Sequence, residues 1–238
     1  MIVEPISGNS QRILGTATHV VLGISPFNSY YSEERIRELA EWGCDNLAAA
    51  HLFVPDVPTT YTLRALGYSE KKATKKARRQ ANYLINKIQR ALAAMGIDDG
   101  TAATMLLTWD TLSANPRYQA LLDEANDAYR TDAEFQHDCR SEVIRVLKGR
   151  LEPSQALTPQ NLDLAAQYFL CEMPLFVDTP AILEQPASVF AYRECGPLLR
   201  KLYDGEYRYS VSDRQGFAVL TCSLDDGIDA EMAQGMFI

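Results

Sequence analysis

The sequence predicts an α/β fold: a Rossmann-like, doubly wound sheet of mostly parallel strands flanked by helices. Three observations carry that prediction. Short apolar runs of strand length alternate with longer amphipathic stretches, the order from which parallel sheets are built. The first clear run, His19-Val-Val-Leu-Gly-Ile, is apolar throughout rather than alternating, as a strand buried on both faces must be. And 238 residues, 47% of them hydrophobic, suffice for one sizeable core, so residues 1–238 are expected to form a single domain.

Taken in order, the run from His19 reads as a strand ending in a glycine-containing turn. Ser32-Glu-Glu-Arg opens a helix through about Trp42, with acids in its first turn where the helix dipole favours them. A second apolar run spans Asn46 to Val54 and stops at Pro55-Asp56-Val57-Pro58, where two prolines forbid a regular element. A long helix is predicted over Glu70 to Met95, and a third strand over Ala102 to Thr108. Residues 115–149 read as two charged helices. Thr158-Pro159 starts another, with Thr as N-cap and Pro in the first turn, running to Glu172 before Pro174. Ser188 to Tyr192 reads as a strand. Tyr207 to Val211 and Phe217 to Cys222 read as a terminal hairpin or edge pair.

The formal net charge is −8, which by itself argues against an anionic partner. Its distribution argues the reverse. Residues 71–97 hold eight basic side chains and no acid: Lys71, Lys72, Lys75, Lys76, Arg78, Arg79, Lys87 and Arg90. At about 100° per residue all eight fall within roughly half of the helix circumference, opposite Ala73, Ala77, Ala81, Leu84 and Ile88. An ordinary solvated face interleaves Glu with Lys to avoid like-charge repulsion. An uninterrupted cationic ridge fits a phosphate backbone better. Its apolar face lacks the bulky aromatic anchors of a membrane-surface helix, and no apolar run reaches the ~18–20 residues that cross a bilayer. Neither a secretory signal nor a C-x-x-C pair is visible. The five scattered cysteines read as cytoplasmic thiols, with no metal site or disulfide framework.

The turn after the first strand, Gly23-Ile24-Ser25-Pro26-Phe27-Asn28-Ser29-Tyr30, faces the crevice in which open α/β sheets bind ligands. Ser25 is the candidate nucleophile. The segment is no G-x-S-x-G elbow, and Pro26 lacks the N–H that hydrolases use in their oxyanion hole. Only three histidines exist, His19, His51 and His137, none in an obvious triad context. An ordinary serine hydrolase is therefore disfavoured.

The run VVLGISPFNSYYS resembles the segment around the nucleophilic serine of cyclodipeptide synthases. Tyr168-Phe-Leu-Cys-Glu172 is similar to the family's Tyr-x-x-x-Glu pair. The stretch from Met173 to Leu183, leading to Ser188-Val-Phe-Ala-Tyr192, resembles its closing segment. The resemblance covers residues 18–195 and implies a fold like the catalytic domain of class I tyrosyl- and tryptophanyl-tRNA synthetases. ATP-binding sequences of the HIGH and KMSKS kind are absent, so no ATP and no other cofactor is implied. The implied substrates are two aminoacyl-tRNAs, joined into a cyclic dipeptide through aminoacyl- and dipeptidyl-enzyme intermediates on Ser25. Glu172 and Tyr168 would hold the first substrate's amine, Tyr192 would relay a proton in cyclisation, and the residue 71–97 helix would bind tRNA. Gly23 would admit substrate close to the backbone, Asn28 would shape the site, and Tyr118 would reach the pocket. Val21, Leu175 and Phe190 would line the pocket for an apolar or small first side chain. A monomer is expected. Residue 193 is Arg where the two main subfamilies carry His or Pro, so Arg193 departs from both although Asn28 agrees with one. Two other readings stand beside this one: a serine acyltransferase acting on a non-tRNA ester, and a non-catalytic RNA-binding module.

Overall fold

The computed structural model describes residues 1–148 and 157–222. After β1 (Ile2–Pro5) and α1 (Gly8–Leu14), the central strand β2 (His19–Gly23) leads through α2 (Glu33–Asn46) to β3 (Ala49–Phe53). Three helices follow, α3 (Thr59–Ala65), α4 (Glu70–Ala94) and α5 (Asp99–Met105), before the two-residue edge strand β4 (Leu106–Leu107). Then come α6 (Trp109–Ser113), α7 (Pro116–Thr131), α8 (Ala133–Leu147), α9 (Pro159–Ile182), β5 (Ser188–Tyr192), α10 (Pro197–Asp204) and β6 (Gln215–Thr221). The sheet runs in the order β1-β6-β5-β2-β3-β4, parallel throughout except where β1 pairs antiparallel with β6.

Every residue of β2 is buried, as its unbroken apolar run requires. Val20, Leu22 and Leu52 pack under α2 and α4 on one face. Val21, Phe53, Phe190 and Phe217 pack under α9 and its neighbours on the other. The chain steps outward from β2 to β3 and β4, then returns to place β5 on the opposite side of β2. That reversal opens a crevice at the carboxyl ends of β2 and β5, where doubly wound sheets bind their ligands.

Three expectations are corrected. The 102–108 segment is mostly helix: Asp98 caps α5 by accepting from the Thr101 N–H, and only Leu106 and Leu107 reach the sheet. The helix from Thr158 does not end before Pro174 but continues to Ile182. A proline inside a helix orphans the carbonyl four residues back and crowds its neighbour. Here the Tyr118 hydroxyl donates to the Cys171 carbonyl at 2.5 Å, next to the one Pro174 orphans. The Tyr203 hydroxyl donates to the Phe176 carbonyl at 2.7 Å, four residues before Pro180. The one non-helical residue, Asp178, lies between the two prolines. There is no 207–222 hairpin either. Tyr207 and Tyr209 turn into the core beside Phe135, and β6 pairs with β5 and β1 instead. The prolines at 55 and 58, as expected, keep residues 54–58 out of helix and strand. Pro58 stands at the N-cap of α3, and the Thr59 hydroxyl donates to the Pro55 carbonyl at 2.6 Å.

The predicted helices over 32–42, 70–95 and 115–149 are present as α2, α4 and the pair α7–α8; position 149 lies outside the described residues. Among the described residues no helix is long and apolar enough to cross a membrane.

Candidate active site at the β2–β5 crevice

The turn after β2 starts with Ile24, whose N–H donates to the Phe53 carbonyl and prolongs the strand by one residue. Pro26 then forces the chain away from the sheet. Phe27 adopts φ +59°, the left-handed region that costs a β-carbon-bearing residue on the order of 1–2 kcal/mol. The Asn28 side chain steadies the turn by accepting from the Tyr30 N–H at 3.0 Å. The outcome is that Ser25 stands at the mouth of the crevice, with its Oγ 2.7 Å from the hydroxyl of Tyr192 at the end of β5.

Tyr168 and Glu172, four residues apart on α9, share the face that looks onto this pair. Ser25, Tyr168, Glu172 and Tyr192 line one cavity of about 810 Å³, together with Gly23, Asn28 and Phe190. Glu172 is buried, and that desolvation raises its carboxyl pKa to about 8, against a smaller lowering from its hydrogen bond to Tyr168. Burial, then the neighbouring Glu172, raise Tyr168 well above the usual phenol range. Burial likewise raises Tyr192, partly offset by its bond to Ser25. Both phenols are therefore held neutral, as donors rather than bases.

The predicted pocket residues divide. Phe190 forms the floor, edge-on to Phe176 at 4.7 Å and stacked on Phe217 at 5.8 Å. Gly23 is needed beneath it, because a Cβ there would come within 3.0 Å of both the Phe190 and Tyr192 rings. Val21 and Leu175 do not line the cavity. They are fully buried in the core, with Phe190, Phe176 and Phe53 forming the wall instead. Tyr118 is also fully buried and does not line the cavity, its hydroxyl being committed to α9.

A charged rim was not foreseen. Glu142 and Arg145 on α8 form an ion pair at 2.6 Å, with Glu142 only 8% exposed, and Arg145 reaches Glu194 at 3.6 Å. Gly196 makes room for it, since a Cβ there would collide with the Glu142 carboxylate. Glu142 and Arg145 are an i,i+3 pair on an amphipathic helix, which in sequence looks like any surface pair. Arg193 stacks its guanidinium over Tyr30 at 4.6 Å and also faces the cavity.

No histidine lines this cavity among the described residues. His19 instead contacts Ser188 Oγ at 2.7 Å and His51 at 2.8 Å, at the opposite ends of β2 and β5 from Ser25 and Tyr192. Burial lowers the His19 pKa to about 3, so this chain stays neutral.

Of the basic residues on α4, Lys71, Lys72, Lys75, Arg78 and Arg79 are exposed. Arg90 is tied at 2.7 Å to Glu33 of α2. Lys87 donates to the Tyr31 carbonyl at 3.0 Å, and Lys76 lies over the Phe27 ring at 5.5 Å. The ridge thus abuts the second half of the turn that carries Ser25, from Phe27 to Tyr31.

The family model for cyclodipeptide synthase matches residues 1–222. A cyclo(L-tyrosyl-L-tyrosyl) synthase of Mycobacterium tuberculosis is 30% identical over 230 residues, covering 97% of this chain and 78% of that protein. The crystal structure of a cyclodipeptide synthase from Bacillus thermoamylovorans matches with a TM-score of 0.83 at 27% identity, over 92% of this chain and 95% of that one. A Mycobacterium tuberculosis structure, at 29% identity, TM-score 0.78 and 91% of each chain, relates these enzymes to type I tRNA synthetases. A synthase from Candidatus Glomeribacter gigasporarum, 16% identical with a TM-score of 0.51 over 86% of this chain and 88% of that one, shares the fold and was solved bound to Phe-tRNAPhe.

Proposed function

The chain belongs to the cyclodipeptide synthase family, and from that premise we propose that it joins the aminoacyl groups of two aminoacyl-tRNAs through covalent intermediates on Ser25. The observation that carries this reading is the 2.7 Å contact between Ser25 and Tyr192, across from Tyr168 and Glu172, in a cavity beside the cationic face of α4.

The chemistry balances without ATP. Ser25 Oγ attacks the carbonyl of the first aminoacyl ester. The ribosyl oxygen leaves with the serine proton, and one ester replaces another. Glu172 meets the α-ammonium of the bound aminoacyl group. With a pKa near 8, close to the ~7.7–8.0 of an α-amine, it can hold that cation as a carboxylate or take its proton and free the amine. Tyr168 steadies both partners by hydrogen bonding. The freed amine attacks the ester of the second aminoacyl-tRNA, forms the peptide bond and releases the second tRNA, leaving a dipeptidyl ester on Ser25. The terminal amine then attacks that ester, closes the six-membered ring and expels Ser25. Closure is intramolecular and is favoured by proximity. Tyr192, a neutral phenol touching Ser25 Oγ, passes the amine proton to the departing serine oxygen.

The test is mass spectrometry of medium from bacteria expressing the protein, beside a Ser25→Ala control of equal solubility. Cyclic dipeptides present only with Ser25 are expected, and purified protein given charged tRNA should gain one aminoacyl mass on the Ser25 peptide. Product formed from small esters but not from charged tRNA would favour a general acyltransferase. RNA binding without product from any charged tRNA would favour a binding module.

A further inference from the structure

The cationic face of α4 is interrupted by one large aromatic residue. Tyr83 is 57% exposed. On the helical wheel it falls at about the centre of the arc spanned by Lys72, Lys76, Arg79, Lys87 and Arg90. The Lys87 ammonium lies 4.9 Å from the centre of its ring. A second pair repeats this arrangement. Tyr68, 39% exposed in the approach to α4, carries the Lys76 ammonium 4.7 Å from its ring centre and accepts a hydrogen bond from it at 3.0 Å.

These two lysines are the ones that touch the nucleophile turn, Lys76 at Phe27 and Lys87 at the Tyr31 carbonyl. They stand eleven positions apart, about 16 Å along the helix. Two exposed rings, each beside a cation that touches the chain just after Ser25, therefore lie along the second half of the nucleophile turn. A duplex stem satisfies the ridge by charge alone and offers no free base faces to a ring. An unpaired strand offers both phosphates and bases, and aromatic rings interleaved with cations are how proteins hold such strands.

Resting on the reading that charged tRNA is the substrate, we infer that Tyr83 and Tyr68 are stacking platforms for the unpaired 3′ segment of the tRNA, which they guide from the α4 ridge past Phe27 into the Ser25 cavity. Phosphates flanking the stacked bases meet Lys87 and Lys76. The duplex stem lies along the more outward Lys71, Lys75 and Arg78.

The test is a double cycle on binding, which needs no turnover. Deacylated bacterial tRNA, either intact or with its unpaired 3′ segment removed by exonuclease, is titrated against wild type, Tyr83→Ala, Tyr83→Phe and Lys75→Gln. Tyr83→Ala is expected to weaken intact tRNA about tenfold, in line with the stacking of one base, and trimmed tRNA hardly at all. Tyr83→Phe should behave as wild type, and Lys75→Gln should weaken both RNAs equally. Thermal melting of the variants checks that the exposed positions leave the fold intact. Equal weakening of both RNAs by Tyr83→Ala, or no weakening of either, would overturn the stacking inference while leaving the synthase reading untouched. Failure of wild-type protein to bind any tRNA, or to make product from it, would instead remove the reading on which the inference rests.

Discussion

Glu172 is the residue at which the site's chemistry and its cost to the fold meet. Its folded pKa, near 8, lies above the ordinary carboxylate value of 4.5. Between those values the folded state holds a proton that the unfolded state has released, so folding is progressively disfavoured as pH rises through the window. The favourable state is fully present below about pH 4.5 and fully lost above about pH 8. Glu172→Gln keeps the shape and removes the titration. Between pH 6 and 9 the stability of wild type should therefore fall by about 1–3 kcal/mol relative to the variant. Chemical denaturation at a series of pH values measures this, and parallel curves would show that the carboxyl is not desolvated. The same variant is expected to lose cyclic dipeptide formation, since a neutral amide can neither hold an ammonium nor take its proton. That Ser25, Tyr168, Glu172 and Tyr192 come together in one cavity was legible in sequence, because they lie in segments that resemble a family pattern. Val21, Leu175 and Tyr118 were misplaced, because a residue's neighbourhood in the chain does not reveal which of two aromatic layers it lies behind. Nor does anything in the sequence mark Phe27 as a residue with positive φ.

The element that most exceeds its sequence pattern is α9. Two prolines within six positions read as a stop, yet the helix runs on, and the reason lies far away in the chain. Tyr118 of α7 and Tyr203 of α10 supply hydroxyl donors to the Cys171 and Phe176 carbonyls. The strands β2, β3 and β5, the helix starts at Ser32 and Thr158 and the wheel of α4 were readable, because each is a local pattern of propensity and period. The compensation in α9 and the pairing of β6 with β1 are long-range, and no local pattern encodes them. A consequence can be tested at this scale. Tyr203→Phe leaves a buried carbonyl without its donor, at a cost of about 1–3 kcal/mol. Urea denaturation should show that loss. Because α9 carries Tyr168 and Glu172 upstream of that carbonyl, turnover should drop much less than with Glu172→Gln. A neutral result in denaturation would mean that the Phe176 carbonyl finds another donor.

For the whole molecule the governing fact is an acidic chain with one basic face. The net charge of −8 repels RNA at long range, while residues 71–97 carry eight positive charges and no negative one. Binding of an anionic polymer must then depend on that face and little else, and its free energy comes mainly from released counterions. Of the eight cations, Arg90 is paired to Glu33, Lys87 is engaged with the Tyr31 carbonyl and Lys76 with the Tyr68 hydroxyl, which leaves the outward group of Lys71, Lys72, Lys75, Arg78 and Arg79 as the main contacts. About five phosphates neutralised would give a slope of roughly −4 in log affinity against log salt. Raising monovalent salt from about 50 to about 200 mM should then raise KM for charged tRNA by two orders of magnitude or more, with kcat held. Lys71→Gln with Lys72→Gln should flatten the slope by about two without shifting the melting temperature, because both side chains are exposed. The discriminating control is a small aminoacyl ester, which has no phosphates to neutralise. Its rate of acylation on Ser25 should be indifferent both to salt and to the double substitution. A ridge that is merely solvated surface would give a flat salt response for both substrates. A ridge that also organises the Ser25 turn, through Lys76 and Phe27, would make the small ester lose rate when Lys76 is replaced but not when Lys71 and Lys72 are. Steady-state kinetics on these three proteins with the two substrates therefore separates attraction of the RNA from arrangement of the nucleophile.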